Sequence, residues 1–257
     1  MTLIRRFNRY ELKYLVHMSQ VERIIRDLET MTQPDEHGGR EGYRVVSLYY
    51  DSPGLDFFWA KVEGLKFRRK LRLRIYPGSD IGAVAEGMVE IKQRMNRTVQ
   101  KRRLKLPLSE AEQLCAGSLE RQELDGLDRQ VASEVLYLVQ AMHLQPSCIT
   151  AYWRRAFVGG LYDAGLRITF DTGVAARCHA LKVNLDAPNH HILPPDWSIM
   201  EVKANDAVPD WVTSLLARHN CQLRRVSKYC AGVALVKGIQ VLPLAIAPAR
   251  GLEVPHG

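Results

Sequence analysis

The sequence predicts a mainly β protein of the α+β type: an eight-stranded antiparallel β-barrel, closed or nearly closed on itself, with several accessory helices. Three observations predict it. Eight segments of strand length and strand composition are spread along 257 residues. Turn-rich insertions separate them, with no repeat of fixed period and no linker that would divide the chain. The same mixture of charges then recurs on one face of several strands, and an eight-stranded barrel has an inside with room for side chains or one small ligand.

The elements follow in order. Strands are expected at 9–16, 43–50, 66–76, 87–94, 99–106, 150–158, 165–171 and 198–204. Helices are expected at 19–31 and 109–119, which open on capping boxes at Ser19/Glu22 and Ser109/Glu112. A third runs over 128–143 behind Asp128, with Val131, Val135, Val139 and Met142 in helical phase, and a fourth starts at Pro209 and ends by Asn220. Loops are marked at 33–42, 76–87 and 186–196. Trp153, Trp197 and Trp211 read as packing residues, and the adjacent His190 and His191 sit beside prolines in a loop unsuited to a metal. Residues 1–240 form one unit, with 241–257 as a tail.

Composition is that of an ordinary globular chain, 46% hydrophobic and 25% charged. Its excess is basic: 36 Lys and Arg against 28 Asp and Glu, a formal net charge of +8. That balance suits a polyanionic partner without choosing one. Five cysteines, Cys115, Cys148, Cys178, Cys221 and Cys230, lack any C-x-x-C pair, so they read as reduced thiols in a cytoplasmic protein with no zinc site. The amino terminus lacks the run of a signal peptide, and the apolar stretch near the carboxyl terminus is broken by Lys237, Gly238 and Pro243, so no transmembrane segment is expected.

Charge distribution carries the functional reading. In 66–76, KFRRKLRLRIY, the cations Arg68, Lys70, Arg72 and Arg74 alternate with Arg69, Leu71, Leu73 and Ile75, giving a strand with one cationic face. Side chains on that face repeat about every 7 Å, so the row repels itself unless water screens it or an anion lies across it. Taken alone, the strand fits a solvated outer face. The wider pattern argues against that. An E-x-K recurs as Glu11–Lys13, Glu90–Lys92 and Glu201–Lys203, each on a strand with apolar residues on the alternate face. Arg154 and Arg167, with Tyr152 and Asp171 in phase, extend the pattern, and Asp171 reads as a residue that orients an arginine. Many guanidinium and ammonium groups in one cavity suit a chain of phosphates, while a few carboxylates suit a hard divalent ion shared with phosphate oxygens.

These residues resemble a known family. R-x-E-x-K-Y at Arg9, Glu11, Lys13 and Tyr14, then L-R-L-R-I-Y at 71–76, E-I-K at 90–92, Y-W-R-R-A-F at 152–157, L-R-I-T-F-D at 166–171, M-E-V-K at 200–203 and S-K-Y at 227–229 are similar to the VTC domain. That is the polyphosphate polymerase domain of the vacuolar transporter chaperone complex, within the triphosphate tunnel metalloenzymes, or CYTH-like superfamily. The matches run from residue 5 to about 237 in the family's order.

The resemblance implies a tunnel that binds triphosphate or polyphosphate with a divalent metal, Mn2+ or Mg2+. It implies Lys13, Arg72, Arg74, Arg154 and Arg167 as the catalytic cations, and Lys92, Tyr152, Lys203, Ser227 and Lys228 as phosphate-binding residues. Glu201 would be the main metal ligand, with Glu11 and Glu90 as further candidates. Lys101 and Arg103 lie in a basic strand, QKRRLK, that gives no unambiguous in-phase choice. The superfamily begins with E-x-E-x-K, but Arg9 stands at the first position here, which favours the VTC branch over a two-metal hydrolase.

The implied function is metal-dependent phosphoryl transfer on linear phosphate chains, as a polyphosphate polymerase using the γ-phosphate of ATP. Tripolyphosphate hydrolysis in the same tunnel and a non-catalytic polyphosphate-binding module are the alternatives. The implied partners are a nucleoside triphosphate and polyphosphate or tripolyphosphate. No aromatic-interleaved basic motif points to nucleic acid, and a membrane-protein partner is left open.

Overall fold

The computed structural model describes residues 9–96, 98–119, 124 and 126–241. The chain opens with β1 (Arg9–His17), α1 (Met18–Glu29), β2 (Thr32–Pro34), β3 (Tyr43–Asp51) and α2 (Asp56–Val62). Three strands follow as a meander, β4 (Phe67–Ile75), β5 (Glu86–Met95) and β6 (Thr98–Pro107), then α3 (Leu108–Ala116) and α4 (Gly126–Ala141). The remainder is β7 (Gln145–Gly159), β8 (Arg167–Arg177), β9 (His190–His191), β10 (Trp197–Asn205), α5 (Asp210–Arg218), β11 (Gln222–Leu223) and α6 (Lys228–Lys237).

All eight expected strands are present, as one sheet in the order β11-β1-β10-β8-β7-β3-β4-β5-β6, with β2 and β9 added at β7 and β8. Every ladder is antiparallel. Among the described residues no ladder joins β6 back to β1, so the barrel is nearly closed. Lys92 of β5 reaches Glu11 of β1 across that seam, with Nζ 2.7 Å from Oε2.

The outer face of the sheet is apolar and the helices cover it. Leu71, Leu73, Val89, Ile91 and Leu104 lie under Leu114 of α3 and Val135 and Leu138 of α4. Ile168, Phe170, Met200 and Val202 lie under Ile24 and Leu28 of α1 and Val212 of α5. Burying both sets of alternate residues against helices leaves the other strand face to line the interior.

α6 breaks this rule, because it packs on the inner face. A Cβ on Gly232 would stand 2.6 Å from Ala176 Cβ and 3.1 Å from Cys148 Sγ, so only glycine lets the helix seat this closely. Tyr229, Cys230 and Val233 join Tyr49, Phe58, Cys148 and Ala176 in a small apolar cluster on the inner face.

Several sequence expectations are corrected. Neither capping box forms at α1 or α3. β1 runs directly into α1, so His17 is the cap, its Nδ1 accepting from the Ser19 amide at 3.3 Å. α3 begins behind the extended Pro107, and the Leu108 amide donates to the Ala85 carbonyl at 2.8 Å instead of to a side chain. The third helix is displaced towards the amino terminus and stops at Ala141, before His143 at φ +50. α2 and α6 were not expected as helices. Trp153 is 46% exposed on the outside of β7, held at its edge by a hydrogen bond from Nε1 to the Glu41 carbonyl (2.7 Å). All five cysteines are free thiols. Among the described residues no helix is long and apolar enough to cross a membrane, and residues 242–257 of the expected tail lie outside them.

Candidate functional site

Ladder register decides which side chains share the interior, because residues directly opposite in an antiparallel pair point to one face. Glu11 faces Lys203 and Lys13 faces Glu201. Lys203 faces Arg167, Glu201 faces Thr169, and Asp171 faces Arg154. Ser47 faces Arg74 and Tyr49 faces Arg72, while Arg72 faces Glu90 and Lys70 faces Lys92. Glu90 faces Arg103, and Lys92 faces Lys101. α6 adds Lys228 and its cap Ser227. All thirteen residues expected from the sequence for catalysis, phosphate or metal are thus brought onto one inner surface, Tyr152 through its hydroxyl on Arg74.

Each carboxylate there is held by cations. Glu90 accepts from Arg72 Nε at 2.6 Å and Arg103 Nε at 2.8 Å, with Lys101 as a third partner. Asp171 accepts from Arg154 Nε at 2.6 Å and Nη2 at 2.8 Å, and from Lys228 Nζ at 2.5 Å. Glu11 pairs with Lys92 and, at 3.3 Å, with Lys13. Glu201 pairs with Lys203 at 3.0 Å.

The remaining arginines are held by neutral or rim groups. Arg74 is buried, donating from Nε to Ser47 Oγ at 3.0 Å and from Nη2 to Tyr152 Oη at 3.2 Å. Arg167 sits at one end of the barrel, donating to Asp35 Oδ2 at 2.6 Å and Tyr43 Oη at 2.9 Å. Gly42 allows that corner: at φ +86, a Cβ would meet the Arg154 carbonyl oxygen at 2.3 Å.

Electrostatics follow from these contacts. Burial alone would raise the Glu201 carboxyl, yet Lys13, Lys203 and Lys228 outweigh it and hold the group well below the usual carboxylate range. Burial likewise opposes ionisation of Glu90, but Arg72, Arg74 and Lys101 keep it far down. Asp171 is brought to about 2, since Arg154 and Lys228 overcome its desolvation. The cations show the opposite stress. Burial pushes Lys203 down to about 8 despite Glu201 and Glu11, and Lys101 down to about 8 despite Glu90. Lys70 is lowered too, by burial. Tyr49 is brought down to about 8, because Arg72, Lys70 and Arg74 outweigh its burial.

Among the described residues, Lys13, Lys70, Arg72, Arg74, Lys92, Lys101, Arg103, Arg154, Arg167, Lys203 and Lys228 therefore face Glu11, Glu90, Asp171 and Glu201 across this surface, with Asp35 added at the rim beside Arg167. Eleven cations against five carboxylates is an excess that a polyanion relieves.

Known proteins resemble this chain over most of its length. The model of the VTC domain family matches residues 8–237. The chain belongs to the VTC domain family. Vacuolar transporter chaperone complex subunit 4 of Schizosaccharomyces pombe is 26% identical over 274 residues, covering 89% of this chain. The chain spans 37% of that relative's length. Among solved structures, a candidate adenylate cyclase from Vibrio parahaemolyticus is 11% identical with a TM-score of 0.47, covering 87% of this chain and 96% of that one. An adenylyl cyclase candidate from Hippeastrum, described as having a dominant triphosphatase activity, is 16% identical with a TM-score of 0.45, covering 91% and 98%.

Within this VTC domain, sequence reasoning left out several inner residues. Lys70 donates to Ser227 Oγ at 2.8 Å and was legible from its phase with Arg72. Arg103, opposite Glu90, and Lys101, opposite Lys92, are fixed by pairing with β5 and both reach Glu90, which the run QKRRLK alone does not show. Ser47, Tyr49, Tyr43 and Asp35 carry no local signal, since each is defined only by the arginine it meets. Arg9 faces Asn205 in the ladder, and its side chain lies outside the described residues.

Proposed function

We propose that this domain is a metal-dependent phosphotransferase acting on linear phosphate chains, extending polyphosphate with the γ-phosphate of ATP. The observation that carries the reading is the inner surface of eleven cations and five carboxylates, Asp35 at its rim included, in which every carboxylate is engaged by a cation. The resemblance of the motifs to a polyphosphate polymerase domain agrees with it.

In this reading Arg72, Arg74 and Arg154 present guanidinium groups to non-bridging phosphate oxygens, and Tyr49, Ser47, Tyr152 and Asp171 fix their orientation. Lys13, Lys203 and Lys228 neutralise charge as the phosphoryl group passes from the leaving nucleoside diphosphate to the acceptor. The acceptor is a terminal phosphate oxygen that is already ionised, so no general base is required. Nothing here calls for a covalent nucleophile.

Glu11 and Glu201 fit a hard divalent ion. They lie together where β1 and β10 pair, both are kept ionised by lysines, and buried Thr169 Oγ1, opposite Glu201, has no partner among the described residues. Oxygen donors of this kind suit Mg2+ or Mn2+ completed by phosphate oxygens. Bound there, such an ion would supply charge compensation to the transferring phosphate. Glu90 has different surroundings, three cations, and serves in this reading to hold Arg72 and Arg103.

We place the domain at the cytoplasmic side of any assembly it joins, on the strength of its free thiols. The deciding experiment is incubation of purified protein with ATP and Mn2+, with the products resolved. Long phosphate chains are expected; orthophosphate alone, or no turnover, would overturn the polymerase reading.

A further inference from the structure

The inner cationic face continues past the residues assigned above. Arg68 is the first inner residue of β4, three alternate positions before Arg74, a distance of about 20 Å along the strand. Its ladder partner is Arg94 of β5. Arg74 lies at the end of the barrel shared with Tyr43 and Arg167, so Arg68 and Arg94 mark the other mouth.

Two more cations reach this mouth from other elements. Lys61 projects from the last turn of α2, which packs on β4. Arg225 lies between β11 and α6, just before Val226 and Ser227, whose carbonyl and hydroxyl take hydrogen bonds from Lys13 and Lys70.

We propose that Lys61, Arg68, Arg94 and Arg225 form an outer anion site that holds the part of a long linear phosphate chain extending beyond the tunnel. It rests on the polyphosphate reading above and adds to it a second, length-selective contact.

Partnering sets this mouth apart from the interior. Inside, Arg72, Lys92, Lys101 and Arg103 each have a carboxylate, and the two inner cations without one among the described residues, Lys70 and Arg74, are held by hydroxyls. At the mouth, among the described residues, none of the four cations forms an ion pair, and Arg94 donates only to the Asn96 carbonyl at 2.9 Å. Glu63, the acid nearest to Lys61 in sequence, is exposed and bridges to none of them. The cations act on one another instead. Burial first, then Arg68, Lys70 and Lys13, bring Lys61 down to about 8. Burial, Arg94 and Arg225 lower Arg68. Four convergent charges without a counter-charge, in line with a phosphate-binding face, are met by the same polymer that the face binds. Nucleic acid is the less suitable occupant, since the row offers no aromatic platform in alternation with the cations.

The test is the Arg68→Ala/Arg94→Ala/Arg225→Ala variant, assayed for binding of tripolyphosphate and of long-chain polyphosphate in parallel with the unaltered protein. Long-chain affinity is expected to fall on the order of tenfold or more, with a shallower salt dependence, while tripolyphosphate affinity and the melting temperature hold. Equal losses for both ligands, or no loss for either, would overturn the outer site while leaving the tunnel reading intact. Binding of neither ligand by the unaltered protein would overturn both readings together. A loss confined to RNA or to vesicles of anionic lipid would assign the mouth to that partner and remove the proposal.

Discussion

Asp171 meets Arg154 at two points, 2.6 Å from Nε to Oδ1 and 2.8 Å from Nη2 to Oδ2, with no exposed surface on the carboxylate. The pair joins β8 to β7, and Lys228 of α6 shares the same oxygen. One acid thus fixes a catalytic candidate and seats the inner helix.

Asp171→Asn should accordingly destabilise the fold by about 3–5 kcal/mol, because it leaves two cations in a poorly solvated site. Added tripolyphosphate should restore much of the loss by supplying the missing charge. Thermal melts with and without tripolyphosphate check this, and a variant that melts like the parent in both would refute the role. The sign for pH follows from a lowered acid: the stability from Asp171 is present above the unfolded value of about 4. It is lost as pH falls towards about 2.

How much of this was readable beforehand depends on where the signal resides. Glu11–Lys13, Glu90–Lys92 and Glu201–Lys203 each place two charges on one strand face, and that local period of two carries the interior into the sequence. α6 left no such trace: Tyr229, Cys230, Ala231, Gly232 and Val233 are consecutive and all buried, so the helix has no polar stripe to betray its period. α2, seven residues with an aromatic pair behind Asp56, is held by tertiary contacts; Asp51 accepts from the amides of Phe57 and Phe58 at 2.9 and 3.0 Å. Asp35 and Tyr43 are distant in sequence from Arg167, and only the folded chain brings them to it.

Glu201→Gln keeps the side-chain shape and removes the charge. It should abolish metal-dependent turnover, and it should remove the rise in melting temperature that Mn2+ produces in the presence of a phosphate chain. Glu11→Gln should weaken both. Full activity in Glu201→Gln would exclude this residue from the metal site.

Arg72 and Arg74 differ in their supports, and this allows a graded test. Arg74 is buried against neutral hydroxyls, and Arg72 is fixed by Glu90. Either alanine variant should cost on the order of 2–5 kcal/mol in kcat/KM, against under about 1 kcal/mol for an exposed cation. Arg72→Ala also leaves Glu90 with two cations instead of three, so its stability should change less than that of Asp171→Asn. Wild-type kcat/KM in both variants would move phosphate contact away from β4.

Lys203 and Lys101, both at about 8 through burial, make binding depend on pH. A bound polyanion raises both groups, so the complex holds more protons than the free protein. Proton uptake on tripolyphosphate binding is expected near pH 8, with affinity falling as pH rises through that value. In the ligand-free protein the sign reverses: between about 8 and the ordinary lysine value of about 10.4, the unfolded chain holds more protons, so these two groups make the fold more stable as pH rises. Calorimetric titration in two buffers of different ionisation enthalpy measures the uptake, and Lys203→Arg should reduce it. Equal heats in the two buffers would contradict the assignment.

The direction of chemistry is the last expectation, and it rests on the state of the carboxylates. Activating water needs a base free to take its proton, but Glu11, Glu90, Asp171 and Glu201 are each paired with cations, and all are held below the ordinary carboxylate range. A terminal phosphate brings its own ionised oxygen and is drawn in by the excess of cations, so it competes better than water for the γ-phosphate. Chain growth from ATP should therefore begin with a lag, while the first acceptors accumulate, and added short polyphosphate should shorten it. Release of orthophosphate alone from tripolyphosphate, at every ATP and primer concentration, would show that water is the acceptor and that the tunnel is a hydrolase.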